Sequence, residues 1–192
     1  MSLKKFLETP INSEKVFSGR LLQVFLDKVL LPNGRTSTRE YIKHQGAAVI
    51  IPVHDGEILL VKQYRYPIRQ VMLELPAGKI DPGEDAYTTI QRELGEETGY
   101  TSEHIVALQP IHPCVGYSNE IIHLYIATDL QKSDLLPDDD ETLEVISLPL
   151  NKALEMVYSG EISDSKTIIG LFWADKLRMD DNLRKRFGIS LG

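Results

Sequence analysis

One stretch of the chain decides its fold: Gly78–Tyr100, which reads GKIDPGEDAYTTIQRELGEETGY. Its first part is rich in Gly and Pro and predicts a loop. From Asp85 to Gly99 the apolar residues recur with a period of about 3.6 residues, which indicates an α-helix. Gly99 is a suitable end for that helix, because glycine readily adopts the left-handed conformation common at helix C-termini.

Three carboxylates share one face of the predicted helix. A helix turns by about 100° per residue, so Glu96 and Glu97 lie about 60° and 40° to either side of Glu93. Such like charges repel one another, and the cluster costs stability unless a cation lies among them. Arg92 can hold Glu96, four residues away, but cannot neutralise three carboxylates. Hard divalent cations take oxygen ligands, and Mg²⁺ usually also bridges to substrate phosphates.

An apolar stripe adjoins the acidic face. Tyr87, Ile90 and Leu94 lie about 60° to 120° around the helix axis from the first of these glutamates, and they can anchor the helix on a sheet. The acidic face therefore need not point away from the protein. A solvated acidic face is the commonest fate of glutamate triplets, but it does not explain why several different residue types keep fixed spacings here.

These spacings resemble the Nudix box, a pattern of the form G-x5-E-x7-R-E-U-x-E-E-x-G-U in which U is a bulky apolar residue. Every fixed position matches, and the matching residues are Gly78, Glu84, Arg92, Glu93, Glu96, Glu97 and Gly99. The one departure is Tyr100 in the final U position, a position that packs rather than catalyses. The resemblance implies a Nudix hydrolase.

The resemblance also implies a role for each polar residue of the box. The implied metal ligands are Ala77 through its carbonyl, Glu84, Glu93, Glu96 and Glu97. Glu84 is alternatively an outer support of the metal site. Arg92 would orient a glutamate, and together with Glu97 it belongs to the implied catalytic set. The implied cofactor is Mg²⁺, with Mn²⁺ as the alternative.

The rest of the chain predicts an α/β fold. Residues 15–44 read as strands broken by a hairpin turn at Leu31–Gly34, where Asn-Gly favours left-handed backbone. Further elements are predicted as strands at Gly46–Val53, Glu57–Gln63, Met72–Leu75, Glu120–Thr128 and Leu143–Leu148, and as helices at Asn151–Ser159 and Asp164–Leu177. The expected architecture is a Nudix-type α/β/α sandwich with a mixed sheet. We expect residues 1–45 to form a small antiparallel sheet used in dimerisation, and residues 46–192 to form the catalytic domain.

Features outside the box resemble the ADP-ribose pyrophosphatase branch of the family. Glu74 begins the motif ELPAG that leads into the box, the run GYSNE occupies Gly116–Glu120, and an acidic run occupies Asp138–Glu141. Each motif alone also has an ordinary interpretation as a packed or solvated loop. Together they imply hydrolysis of ADP-ribose by water to AMP and ribose 5-phosphate, in a homodimer.

The remaining chemistry is assigned by the same resemblance. An acidic loop can deliver a general base in this family, which makes Asp139 or Glu141 a candidate, and Glu120 competes as base or metal support. The residues assigned to substrate binding are Arg65, Glu74 and Gly116. A guanidinium suits a diphosphate, although a surface salt bridge is an equally good interpretation of Arg65.

The composition is that of a soluble globular protein. The chain has 192 residues, of which 42% are hydrophobic, and a formal charge of −7. An acidic balance argues against nonspecific nucleic-acid binding. The single Cys114 cannot form an internal disulfide, and no apolar run is long enough for a signal peptide or a bilayer span. We therefore predict a cytoplasmic protein with neither nucleic-acid nor membrane partners.

Three other functions compete with ADP-ribose hydrolysis. The first is hydrolysis of another nucleotide sugar, a dinucleotide or a nucleoside triphosphate. The second is a binding module that senses ADP-ribose without cutting it. Such modules typically lose box carboxylates, whereas this box keeps all of them, so catalysis is favoured. The third, a structural scaffold, leaves the acidic face unexplained.

Overall fold

The computed structural model describes residues 3–133 and 142–190, which form two compact units. The first unit contains the described residues up to Gln45 together with Cys114–Glu120. The second contains Gly46–Pro113 and the described residues from Ile121 onward. The GYSNE run therefore belongs with the N-terminal sheet, although it lies within the range that was assigned from sequence to the catalytic domain.

The first unit is the predicted N-terminal antiparallel sheet. Its elements are a 3-10 helix at Leu3–Phe6 and strands β1 (Thr9–Ser18), β2 (Gln23–Leu30) and β3 (Thr36–Ile42), paired in the order β1-β2-β3. The turn between β2 and β3 forms as predicted, with the Gly34 N–H donating to the Leu31 carbonyl at 3.0 Å. Only the glycine of the Asn-Gly pair is left-handed, with φ of 79°. The sequence pattern had suggested positive φ for the pair.

The second unit contains the remaining elements. They are the strands β4 (Ala47–His54), β5 (Glu57–Arg65), β6 (Gln70–Glu74), β7 (Ala77–Lys79), β8 (Tyr100–Thr101), β9 (His104–Ala107), β10 (Ile122–Thr128), β11 (Gln131–Lys132) and β12 (Glu144–Pro149), and the helices α1 (Ala86–Thr98), α2 (Leu150–Ser159), α3 (Ser165–Met179) and α4 (Asp181–Phe187). Within the described part of the chain, no helix is both long and apolar enough to cross a membrane.

The main sheet is mixed, as predicted. Its strands run in the order β12-β5-β4-β10-β9, and only the β4–β10 pair among these is parallel. Strands β4 and β5 pair with each other only at their hairpin end, through Val53–Ile58 and His54–Glu57. Beyond that point β5 pairs with β6 and β4 pairs with β7. The Ile50 N–H donates to the Pro76 carbonyl at 3.0 Å, which holds the β6–β7 connection against β4.

Both faces of the sheet are covered by helices. Ile50 of β4 packs with Ile90 and Leu94 of α1 in one buried cluster. Its neighbour Ile51 packs with Leu171 of α3 in a second cluster. Adjacent residues of a strand point to opposite faces, so the two clusters lie on opposite sides of the sheet. This arrangement is the α/β/α sandwich expected from the sequence.

Helix α1 covers the segment predicted for it and ends at the predicted Gly99. The Asp85 side chain caps its N-terminus by accepting from the Thr88 N–H at 2.7 Å. Gly99 ends it in the left-handed region, with φ of 71°, and its N–H donates to the Gly95 carbonyl. Burial of the two apolar side chains that face the sheet contributes about 2 kcal/mol each. The helix that carries the box is therefore fixed at both ends and along one face.

Some elements differ from the sequence expectations. The strands β7, β8, β9 and β11 were not predicted, because segments of two to four residues show no clear alternation. Of these, β7 includes Gly78 and Lys79, for which the sequence predicted a loop. Helix α4 was not predicted either. Tyr87 was expected in the anchoring stripe, but it is 40% exposed, and its ring meets that of Tyr125 in β10 edge-on. It lies in the first turn of α1, before the fully buried part of that stripe begins at Ile90.

Candidate functional site

Three predicted site carboxylates converge on one guanidinium in what we call the Arg92 cluster (Glu84, Arg92, Glu93 and Glu96). Arg92 Nη1 donates to Glu96 Oε2 at 2.7 Å and lies 3.0 Å from Glu93 Oε1. Arg92 Nη2 lies 3.5 Å from Glu84 Oε2. Burial lowers the pKa of Arg92, but the hydrogen bond to Glu96 and the charge of Glu93 outweigh it, so the pKa is raised. One positive charge thus faces three negative ones.

Glu84 reaches this cluster from the loop before α1. Its Oε2 accepts from the Thr89 hydroxyl at 2.9 Å, and this hydrogen bond is the largest cause of a lowered pKa for Glu84. Burial opposes the change in pKa, and Arg92 adds to it. The loop residue is therefore held as a carboxylate beside the helix, and its role as a metal ligand stays a prediction.

Gly78 makes room for Glu93. A Cβ built at Gly78 would lie 1.7 Å from Glu93 Oε1 and 2.1 Å from its Cδ. No side chain fits there unless the glutamate moves. The first residue of the box is therefore glycine because the carboxylate of Glu93 occupies the space where a side chain at 78 would lie.

Glu97 accepts a hydrogen bond from β7, the strand in which the box begins. The Ala77 N–H donates to Glu97 Oε2 at 2.9 Å, and Glu97 is only 4% exposed. The sequence resemblance had implied the Ala77 carbonyl as a metal ligand; the contact seen here is through the amide. The acidic face of α1 thus lies against β7, and the solvated-face interpretation is wrong for Glu93 and Glu97, both of which are buried.

The chemistry of these residues fits a hard divalent cation. All the side-chain atoms available as metal ligands are carboxylate oxygens. Arg92 neutralises only one of these negative charges, and a cation would offset the rest. Across residues 3–133 and 142–190, however, no group of three or more acidic, His or Cys side chains is already arranged to hold a metal ion.

A second group of charges, the Arg65 cluster (Arg65, Glu74, Asp164 and Lys166), lies where β5 and β6 meet the start of α3. Arg65 donates from Nε and Nη2 to the two oxygens of Glu74, each at 2.7 Å. Lys166 donates to Glu74 and, at 2.9 Å, to Asp164. Burial raises the pKa of Glu74. The hydrogen bonds and charges of Arg65 and Lys166 outweigh this effect, so the pKa is lowered below its ordinary value.

Sequence reasoning assigned Arg65 and Glu74 to substrate binding and missed Lys166 and Asp164. Glu74 has a side chain only 3% exposed, so we place it behind Arg65, and a direct contact with substrate stays a prediction. One signal was available for Lys166. It lies in the first turn of α3, where the helix dipole disfavours a cation.

The other predicted site residues are not brought to these clusters by the described contacts. Gly116 and Glu120 belong to the first unit. There Glu120 Oε1 lies 3.8 Å from His44 Nδ1, and the Glu120 N–H donates to the Ser118 hydroxyl at 3.1 Å. Asp139 and Glu141 lie outside the described residues. Their roles remain predictions.

Comparison with known proteins places this box in a wider context. Residues 43–168 match the family model described as the NUDIX domain. The chain is 42% identical over 171 residues to the methanol dehydrogenase activator of Bacillus methanolicus, covering 88% of this chain and 92% of that protein. It is 39% identical over 170 residues to the ADP-ribose pyrophosphatase of Bacillus subtilis (strain 168), covering 86% and 91%. A crystal structure of an ADP compounds hydrolase matches with a TM-score of 0.83 and 26% identity, covering 93% and 97%.

Proposed function

Because the chain belongs to the Nudix hydrolase family, we propose that it hydrolyses ADP-ribose with one water to AMP and ribose 5-phosphate. The observation that carries the proposal is the Arg92 cluster, with Glu97 buried beside it. Its excess of carboxylates has little structural use without a cation, and a cation there suits a diphosphate. The 39% identity to an ADP-ribose pyrophosphatase supports the choice of substrate.

The proposed cofactor is Mg²⁺, with Mn²⁺ as the alternative. The residues that would hold it are Glu84, Glu93, Glu96 and Glu97, with the Ala77 carbonyl. A bound divalent cation supplies neutralisation of the diphosphate charge and a lower pKa for the attacking water. Arg92 would keep the glutamates oriented through the contacts that it already makes. Gly78 would preserve the space that Glu93 needs.

The protein side chains supply the remaining functions. Arg65 would bind and orient the diphosphate, since a guanidinium donates to phosphate oxygens with defined geometry. A carboxylate takes the proton of the attacking water while a P–O bond of the diphosphate breaks and the leaving phosphate takes the electron pair. We propose Asp139 or Glu141 for that base, with Glu120 as the competitor. Replacement of the true base by its amide should lower kcat with little change in KM and should remove the acidic limb of the pH–rate profile.

A coupled phosphate-release assay tests the substrate and the metal together. The wild type is given ADP-ribose, nucleotide sugars, dinucleotides or nucleoside triphosphates, with and without Mg²⁺, and a phosphatase releases phosphate from the products. We expect ADP-ribose to be cleaved best and only with metal. Cleavage of triphosphates but not of ADP-ribose would overturn the substrate, and leave the family intact.

Matched variants test the site itself. Glu97→Gln should lower kcat/KM at least about 100-fold, because the residue serves both the metal and the β7 contact. Glu103→Gln removes an exposed carboxylate and should leave the rate unchanged. Circular dichroism shows whether both variants fold. Near-normal turnover by folded Glu97→Gln at saturating Mg²⁺ would contradict the assignment.

A second candidate function comes from the relative named as a methanol dehydrogenase activator, to which the chain is 42% identical. An activator role for this chain would appear as faster turnover of a purified methanol dehydrogenase on addition of the protein. If Glu97→Gln abolishes that effect as well, activation depends on hydrolysis by the same site. If it does not, activation is a separate binding function.

We also propose a homodimer that uses the first unit. All ten residues of β1 are exposed, among them Ile11, Val16 and Phe17. Exposed apolar side chains grouped on one strand often mark a contact with a partner. Sedimentation at micromolar concentration tests the proposal: a dimer that Val16→Glu with Phe17→Glu converts to monomer supports it, and a monomeric wild type contradicts it.

A further inference from the structure

The first turns of α3 hold the segment that leads into the box. Thr167 is fully buried, and its hydroxyl accepts from the Leu75 N–H at 2.8 Å. Lys166, one residue earlier, donates to Glu74. Gly170 packs so closely that a Cβ there would lie 2.3 Å from Leu75 Cδ1. Two consecutive residues of the segment are thus fixed by one helix.

Lys166 is the enclosed cation of the Arg65 cluster. Its side chain is 12% exposed and lies between the carboxylates of Glu74 and Asp164. The side chain of Arg65 is 41% exposed. Two cations balance two carboxylates, but only the guanidinium has substantial access to solvent. Lys166 also occupies a helix position where a cation is unfavourable, so helix stability does not explain its presence.

Removing the ammonium would change the balance around Arg65. The guanidinium would then face its neighbouring carboxylates without a second cation, because Glu97 and Asp164 as well as Glu74 act on its charge. A net negative cluster attracts a diphosphate less than a neutral cluster does. The arginine would also be drawn toward the second carboxylate and away from solvent.

We propose that Lys166 is a positioning residue. It keeps Arg65 available to the substrate diphosphate by neutralising one of the two carboxylates of the Arg65 cluster. This inference rests on the proposed function, in which Arg65 binds the diphosphate. Helix α3 would then contribute to substrate affinity, whereas the carboxylates proposed to bind the metal come from α1 and the loop before it. Lys166 acts through Arg65 and Glu74 and need not touch the substrate.

Charge-balance variants test the inference. Lys166→Met should raise KM about tenfold with kcat changed less than about threefold, because binding of the diphosphate is weakened more than the chemistry. Asp164→Asn leaves an excess positive charge and should lower KM about threefold, and Asn still caps a helix well. The double variant restores neutrality and should return KM to near the wild-type value. Lys152→Met removes an exposed lysine paired with Glu155 and serves as the control with unchanged KM.

The double variant separates charge from packing. If Lys166 served only to hold the fold, the two substitutions would add their losses, and KM of the double variant would not recover. That result, or an unchanged KM in folded Lys166→Met, overturns the inference. Should Lys166→Met not fold, Asp164→Asn decides alone: a lower KM supports charge balance, and an equal or higher KM overturns it.

A binding measurement keeps this inference separate from the proposed reaction. Calorimetric titration with α,β-methylene-ADP, a diphosphate analogue that resists hydrolysis, should show the same order of affinities among the variants. If the variants bind the analogue in the expected order but the wild type cleaves none of the diphosphates, the proposed hydrolysis is defeated and the role of Lys166 is supported. Equal affinities of all variants defeat the role of Lys166 and leave hydrolysis standing.

Discussion

The Arg92 cluster and the Arg65 cluster use the same residue types in opposite proportions. In the first, one guanidinium pairs with three carboxylates, all of which come from α1 or the loop before it. In the second, two cations serve two carboxylates that β6 and the start of α3 supply. A balanced cluster is stable by itself, whereas an anionic excess requires a further cation. The difference separates a cluster that balances its own charges from one whose negative charge calls for a metal ion.

The largest effect should come from removing divalent metal. Dialysis against EDTA should reduce hydrolysis by at least about 1,000-fold, and Mg²⁺ should restore it, since the diphosphate charge is otherwise not neutralised. Mg²⁺ should also raise the Tm of the wild type but not of a Glu93→Gln, Glu97→Gln double variant. A full rate in EDTA would contradict the distinction drawn between the clusters, because the Arg92 cluster would then need no cation.

Crowding the Arg92 cluster should have the next largest effect. Gly78→Ala places a Cβ where Glu93 now lies, so the carboxylate must move and the rate should fall about 100-fold. The control is Gly160→Ala, which strains a left-handed residue with φ of 84° but meets no neighbouring atom. It should cost about 1 kcal/mol of stability and no activity. Equal activity of the two variants would contradict the assigned role of Gly78.

Neutralising one carboxylate in each cluster compares them directly. Glu74→Gln leaves two cations beside one carboxylate and should lower the free energy of unfolding by about 3 kcal/mol. Glu96→Gln relieves repulsion in the anionic cluster and, without metal, should change that free energy by less than about 0.5 kcal/mol. Urea unfolding in EDTA measures both. Similar losses would show that the clusters do not differ as described.

Acid should reveal the smallest effect. The pKa of Glu74 is lowered from its ordinary value of 4.5, so the group stabilises the protein above that value. The contribution is lost as pH falls through the lowered pKa of the folded state, because the unfolded chain binds the proton more readily. Unfolding free energies measured between pH 7 and 3 should therefore depend less on pH in Glu74→Gln than in the wild type. An equal dependence on pH in the two proteins would contradict the lowered pKa.

The two clusters also differ in how well sequence could predict them. The residues of the Arg92 cluster lie within one loop and the helix that follows it. Their helical period and fixed spacings therefore predict from the sequence that they are close together. Lys166 reaches Glu74 from 92 residues away, and no local pattern reports such a contact. The same limit applies to the elements: α1 was predicted by its period and by Gly99 at its end, whereas the two-residue strands β8 and β11 depend on each other for pairing.

The divergence of β4 and β5 has a consequence for how substrate choice can change. Glu74 ends β6 against β5, and Ala77 begins β7 against β4, so only Leu75 and Pro76 separate the two pairings. These two residues thus set the distance between Arg65, which would bind the diphosphate, and the glutamates that would hold the metal. An insertion there would shift one pairing relative to the other along the chain. Relatives that act on larger or smaller nucleotide derivatives can therefore be expected to differ in the outlying loops and to keep this two-residue spacing.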